Sequence, residues 1–355
     1  MRPFELLAFC IASLYCSLIA CKAPPSSTGS KASVSYTPKT LVTEKNVNTI
    51  AFGSCNRQDK PQVMWPFIIE QEPDLWIWLS DNIYADTEDM AQMKALYDLQ
   101  KSHPGYQQLL AQCPVLGIWD DHDYGVNDGG KEYAQKDPSK QLMLDFLEVP
   151  STAAVRQRPG AYQTYTLGEP GKQIKILLLD VRSFRDPLQK NRLGKSRYLA
   201  HPNGSILGQA QWEWLDKELS NSEAQVHLLA GGIQMLPREH RFEKWANFPA
   251  ERQRLLDLLV KTNVPNVVLL SGDRHLAEIS KINLPGRLAP IYEITASGLT
   301  HSYEAADEVN QYRVGPLVGQ KNFGVLRFNW SKEKVQLRAQ IRGLNQQLFT
   351  EVLLE

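Results

Sequence analysis

The chain has 355 residues, and its 39 Lys and Arg balance 39 Asp and Glu to a formal net charge of zero. Neutrality leaves no basic face for a polyanion, so no nucleic-acid-binding surface is expected. The length and a hydrophobic content of 43% permit one large α/β domain or two small ones. Beyond the N-terminus no apolar run is long enough to span a bilayer.

The front of the chain reads as an export signal. Arg2 supplies a positive charge and residues 6–20 are mostly apolar and uncharged, although Glu5 is out of place in a region that is usually basic. The segment ends in Leu18-Ile19-Ala20-Cys21, which resembles a bacterial lipobox; an ordinary cleaved signal peptide also places small residues there. The expectation is a lipoprotein-type signal peptide at 1–20, lipidation at Cys21, a flexible tether at 21–45 rich in Pro, Ser, Thr and Lys, and a folded domain at 46–355. Such a protein sits on the periplasmic side of a bacterial membrane, held by its lipid alone. Lys22 leaves inner or outer membrane open. Outside the signal and Cys21, only Cys55 and Cys113 remain, and an exported pair suggests a disulfide.

In chain order, short apolar runs predict strands at 49–54, 75–79, 115–119, 174–179, 226–230 and 267–270. Their unbroken β-branched and leucine content suits strands buried on both faces. Helices are predicted between them at 61–71, 88–100, 104–112, 132–146, 208–220 and 249–262, with Asp86 as a candidate opening residue for the second. Strands at 291–296, 323–329, 335–341 and 348–353 come next with little helix between them, so a βα-alternating half precedes a more antiparallel one.

The residues just beyond each of the first six strands carry the chemistry. The successive ends are Cys55-Asn56, Ser80-Asp81-Asn82-Ile83-Tyr84, Asp120-Asp121-His122-Asp123-Tyr124, Asp180-Val181-Arg182, Gly231-Gly232-Ile233-Gln234 and Gly272-Asp273-Arg274-His275. The C-terminal edge of an α/β sheet is where ligands bind. One Asp after a strand is turn chemistry, but repeated ligand-type residues are hard to explain as turns. The carboxylates around His122 repel one another unless cations relieve them; a solvated acidic loop is the alternative. Asp273 and His275 can share a metal or sit in a surface salt bridge, and Arg274 then faces elsewhere or meets a phosphate. Asp81 can bridge two cations. Tyr84 is either a packed, hydrogen-bonded phenol or a hard ligand for ferric iron. Cys55 is a buried thiol, the partner of Cys113, or a ligand. Arg182 can hold a phosphate oxygen or pair with Asp180 or Asp186.

These segments, together with Phe52-Gly53-Ser54-Cys55, Leu179-Asp180-Val181-Arg182-Ser183-Phe184-Arg185-Asp186, Gly208-Gln209-Ala210-Gln211-Trp212 and Leu276-Ala277-Glu278, resemble in order the motifs of the PhoD-like alkaline phosphatase D family. The resemblance covers about residues 47 to 300 and implies an α/β metallophosphoesterase-like sandwich of two mixed sheets flanked by helices. It further implies a phosphoric ester hydrolase using calcium with iron (Ca2+ and Fe3+). Metal ligands carry over to Cys55, Asp81, Tyr84, Asp121, Asp273 and His275, with Asp120 beside them. His122 takes the place of the histidine that assists the leaving group, and Arg182 that of a phosphate-orienting residue; Arg274 is a further substrate-binding candidate. Many family members carry an extra N-terminal β-domain, whereas here the tether leads straight into the first catalytic strand, and Gly232 and Gln234 stand where related enzymes use a histidine ligand. The expected partner is a phosphate ester and the expected state a monomer. Two readings compete: a phosphodiesterase or phospholipase acting on phospholipid, teichoic acid or nucleic-acid ends, and a metal-binding lipoprotein without catalysis.

Overall fold

The computed structural model describes residues 37–331 and 334–355. The signal segment 1–20, Cys21 and the tether as far as residue 36 lie outside the described residues. The remainder of the expected tether lies along the body: the Lys39 amide donates to the Leu110 carbonyl at 2.9 Å, the Gly168 amide donates to the Thr43 carbonyl at 2.7 Å, and Leu41 packs against the core. Lys45 adds an ion pair to Asp74 at 2.9 Å.

The first sheet-forming part runs β1 (Thr49–Gly53), α1 (Trp65–Ile69), β2 (Leu75–Trp78), α2 (Met90–Lys101), α3 (Pro104–Gln112), β3 (Val115–Gly117), a single turn α4 (Asp121–Tyr124) and α5 (Lys136–Phe146). The second runs β4 (Gln163–Leu167), β5 (Ile174–Leu178), α6 (Gly208–Ser220), β6 (Val226–Ala230), α7 (Pro249–Thr262), β7 (Val267–Ser271), β8 (Ala277–Ile282) and β9 (Ile291–Ala296). The chain then returns to the first sheet with β10 (Phe323–Trp330), β11 (Val335–Arg342) and β12 (Leu348–Leu354).

Two six-stranded sheets result, in the orders β12-β11-β10-β1-β2-β3 and β4-β5-β6-β7-β9-β8. Both are mixed. β1, β2 and β3 are parallel with β10 to β12 added antiparallel; β5, β6, β7 and β9 are parallel with antiparallel edges β4 and β8. The expected antiparallel half is therefore no separate unit, because its strands complete both sheets.

The continuous apolar strands resolve into two faces with the period of two that a strand imposes. Ile174, Ile176 and Leu178 of β5, with Leu228 and Leu270, enter the core between the sheets. Leu177 and Leu179, with Leu229 and Leu269, pack outward against Trp212 and Leu215 of α6 and Leu255 and Leu259 of α7. On the far side of the first sheet, Trp65, Trp76, Trp78 and Tyr106 pack together, with ring centroids 5.2 to 5.6 Å apart and mostly edge to face. Each such pair contributes about 0.5–1.5 kcal/mol beyond its area.

Helix boundaries differ from the sequence expectation for local reasons. The predicted helix at 61–71 shrinks to Trp65–Ile69, which begins just ahead of Pro66. α2 is opened by Asp89, whose side chain accepts from the amides of Ala91 at 2.8 Å and Gln92 at 3.2 Å. Asp86 is taken up elsewhere, by His122.

One close approach fixes the pairing of β1 with β10. Gly324 lies opposite Phe52, and a Cβ there would stand 2.2 Å from the phenyl ring. Gly324→Ala is expected to cost about 1–3 kcal/mol, as overpacking does, read from urea unfolding. Adding Phe52→Leu is expected to restore part of the loss if the ring is the obstacle.

Candidate metal centre

Four parallel strands from the two sheets end at one edge, and the residues after them converge. Cys55 follows β1, Asp81 and Tyr84 follow β2, Asp120, Asp121 and His122 follow β3, and Asp273 and His275 follow β7. The backbone bends sharply to bring them in. Cys55, Asp81, Asp273 and His275 have φ of 58°, 42°, 63° and 54°, the left-handed region that side chains with a Cβ disfavour. Such strain costs of order 1–3 kcal/mol per residue and persists only where the surroundings enforce it. Here the Asn56 amide donates to the Asp81 carbonyl at 3.0 Å, the Asp273 amide to Ser80 Oγ at 3.1 Å and the His275 amide to Ser297 Oγ at 2.8 Å.

The side chains form three overlapping groups whose donor atoms lie within 4.8 Å of one another: Cys55, Asp81 and His275; Asp81, Asp121 and His122; and Asp120, Asp121 and Asp273. Asp81 belongs to the first two and Asp121 to the last two. Tyr84 joins the first, its hydroxyl 3.1 Å from His275 Nε2 and 3.4 Å from Asp81 Oδ2. Cys55 Sγ stands 3.2 Å from Asp81 Oδ2 and 3.0 Å from Ser297 Oγ. The convergence expected from the sequence is therefore present for all of these residues.

Electrostatics shows what the arrangement lacks on its own. Burial, reinforced by neighbouring acids, pushes the carboxyls of Asp81, Asp120 and Asp123 well above the usual carboxylate range, and that of Asp273 up to about 7. Asp121 goes the other way: burial would raise it, but the charges of Arg182 and His122 and the Asp128 amide hold it low. Burial, with positive neighbours, drives His275 down to about 3, so its imidazole is neutral and can ligate. Several buried polar atoms have no hydrogen-bond partner: Asp81 Oδ1, Asp120 Oδ2, Asn82 Oδ1 and His275 Nδ1. Buried orphans of this kind are expensive. Cations among them would satisfy both the orphaned lone pairs and the clustered negative charge, so the donor set fits metal ions.

Other residues prove to be framework. Arg182 pairs with neither Asp180 nor Asp186. It is wholly buried, bonded to Asp120, and lies 2.7 Å from Glu243, which also lies 3.0 Å from Arg185. Buried guanidinium and carboxylates compensate one another there, and Arg182 holds Asp120 in place. Asp180 accepts from the amides of Ala161, Arg182 and Ser183 and from the Trp119 indole. Gln211 of α6 clasps the Asp180 backbone from both sides. Asp123 closes the turn through the amides of Asp120 and Asn82. Arg274 is buried, paired with Glu308 and stacked 4.5 Å over Phe242.

The disulfide alternative is not formed. Cys55 and Cys113 are both free thiols; Cys55 follows the C-terminal end of β1, whereas Cys113 precedes β3 at the opposite end of the sheet. Where related enzymes place a histidine, Gly232 leaves room for Asp120, whose carboxyl carbon would lie 2.3 Å from any Cβ. Gln234 turns away to Glu278 and Thr295, at 2.8 Å each.

Three contributors carry no signal of their own in the sequence. His301 comes within 3.2 Å of the Tyr84 hydroxyl and its ring lies 4.3 Å from that of His275; no strand-end position marks it. Asp86 accepts from His122 Nδ1 at 2.8 Å, a pairing hidden by the helix-opening reading. Glu243 lies in a loop with no motif of its own. His122 itself stacks on Tyr84 with ring centroids 4.1 Å apart.

Comparison with known proteins agrees with this geometry. The PhoD-like phosphatase family matches residues 50–342. Alkaline phosphatase D of Bacillus subtilis (strain 168) is 26% identical over 286 residues, covering 66% of this chain and 47% of the relative; the chain thus spans about half the length of the curated relative it matches. The solved structure of PhoD superposes with a TM-score of 0.68 at 18% identity, covering 89% of this chain and 70% of that one. A dimetal phosphatase from Danio rerio shares the fold at a TM-score of 0.55 and 10% identity, over 87% of this chain and 99% of its own. With two mixed sheets, flanking helices and a metal-type edge of the metallophosphoesterase kind, this chain belongs to the PhoD-like phosphatase family.

Proposed function

We propose that the protein is an exported, lipid-anchored hydrolase of phosphate esters that depends on bound metal ions. The observation that carries the reading is the sharing of Asp81 and Asp121 among three contiguous donor groups, the arrangement that two or more adjacent cations require. The thiol, phenol and imidazole of Cys55, Tyr84 and His275 suit iron, while the carboxylates of Asp120, Asp121 and Asp273 suit calcium. Bound there, the ions supply an acidified water and the positive charge that a phosphoryl group undergoing in-line displacement needs.

The protein's own residues do the rest. Asp81 and Asp121 fix the spacing of the donor groups, and Arg182 keeps Asp120 aligned from behind. His122 is set to protonate the departing oxygen. Burial alone would lower its pKa, but the carboxylates of Asp86, Asp81 and Asp121 raise it to about 10. Asp86 also fixes the proton on Nδ1 and the plane of the ring, leaving Nε2 for the leaving group.

Export and anchoring are supported by the charge-free run before Cys21. Cys21→Ser is expected to abolish palmitate labelling and to move the protein from the washed membrane pellet to the soluble fraction. Retention in the pellet would reject the anchor.

Asp81→Ala and Asp121→Ala are expected to lower metal content, by elemental analysis, and to cut hydrolysis of p-nitrophenyl phosphate and bis-p-nitrophenyl phosphate at least about a hundredfold, since outer-shell losses alone cost 10–100-fold. Turnover at the parent rate in both variants would overturn the assignment. Asp86→Asn removes a group that favours the imidazolium, so the alkaline limb of kcat is expected to move to lower pH and kcat to fall about 10–100-fold. Combined with His122→Ala, the two losses are expected not to add.

A further inference from the structure

The cleft over the carboxylates has a rim that takes no part in metal binding or proton transfer. A cavity of about 70 Å³ is walled by Asp121, His122, Asp273 and His275 together with Arg197, Phe242 and Tyr303. Phe242 comes from the loop between β6 and α7 and Tyr303 from the loop after β9. Their rings lie 6.4 Å apart and within 20° of parallel. Tyr303 rests on the His275 imidazole at 4.9 Å, and its amide donates to the His275 carbonyl at 2.8 Å. An aromatic wall therefore begins one ring away from the metal-type ligands.

Guanidinium groups surround this wall. Those of Arg274, Arg197 and Arg241 lie 4.5, 5.4 and 5.5 Å from the Phe242 centroid. Arg274 is buried and neutralised by Glu308. The other two keep their charge available. Arg197, with 48% of its side chain exposed, comes only within 3.9 Å of Asp128, whose carboxylate already accepts from the Tyr198 hydroxyl. Arg241 is exposed, and among the described residues no carboxylate pairs with it. A guanidinium laid on a ring keeps its N–H fork free for a phosphate or carboxylate. The exposed face of Tyr303, 46% accessible, offers a stacking surface beside that fork.

We propose that Arg197, Arg241, Phe242 and Tyr303 form a leaving-group subsite for phosphate esters and anhydrides whose leaving group joins a planar ring to an anionic group, as in a nucleoside diphosphate. The inference rests on the reading of the protein as a hydrolase. The terminal phosphoryl group lies over Asp81 and Asp121, and the rest of the substrate crosses His275 to the rim. Water supplies the new oxygen on phosphorus, and the bond to the bridging oxygen breaks. The nucleoside monophosphate departs with the electron pair and takes its proton from His122. Its remaining phosphate meets Arg197 and Arg241 while the base stacks on Tyr303.

The test compares kcat/KM of the metal-loaded protein for ADP and for glycerol 3-phosphate, and measures AMP binding by titration calorimetry. Arg197→Gln with Arg241→Gln is expected to lower the ADP to glycerol 3-phosphate ratio about tenfold and to weaken AMP binding by a similar factor. Tyr303→Leu is expected to lower the ratio severalfold. Raising the salt is expected to weaken AMP binding in the parent more than in the double variant. Equal losses on both substrates, or AMP binding indifferent to the two substitutions, would overturn the subsite while leaving the hydrolase reading intact. If neither substrate is turned over but AMP binds and depends on both arginines, the subsite stands and the hydrolase reading fails.

Discussion

Mutual repulsion among buried carboxylates governs this molecule. Asp81, Asp120, Asp121, Asp123 and Asp273 all sit at one sheet edge, none more than partly accessible. Arg182 and His122 offset the acids after β2 and β3, and Arg274 with Arg182 offsets Asp273. A desolvated negative cluster of this kind opposes folding unless positive charge enters it. The surrounding framework answers that need. Arg182, held by Glu243, neutralises Asp120 from behind, the turn after β3 is tied through Asp123, and Asp81 Oδ1 and Asp120 Oδ2 are left without a hydrogen-bond partner.

The same need explains why two sheets are required. The first delivers Cys55, Asp81 and the acids after β3; the second delivers Asp273 and His275, with Ser297 following β9. Hydrogen bonds between Ser297 and Cys55 and between Tyr84 and His275 stitch the two edges together. The left-handed backbone at four of the ligand positions is tolerated because both sheets restrain it. Packing between the sheets, with Phe52, Ile176 and Leu270 in its core, thus sets the precision of a site that touches none of those side chains.

Much of this is legible in the sequence because a strand leading into a ligand-type residue is a local pattern. The six principal strands and the residues after β1, β2, β3 and β7 can be read on that basis. Edge strands β4 and β8 cannot, since short segments of mixed polarity gain their partners only in the sheet. Tertiary partnership is equally invisible. Nothing near Arg182 in sequence announces Glu243, and Asp86 reads as a helix opener until His122 is seen beside it. His301 stands in a loop whose neighbours are Thr300 and Ser302, and only folding brings it to Tyr84.

The wide spacing of the ligands along the chain has a consequence for biosynthesis. Cys55 and the Ser297 hydroxyl that meets it are 242 positions apart, and closing so large a loop precedes any reward from the contact. A nascent chain that ends before residue 297 lacks the hydroxyl that meets the Cys55 thiol. The contact that joins the two sheet edges is therefore completed only after β9 has been made.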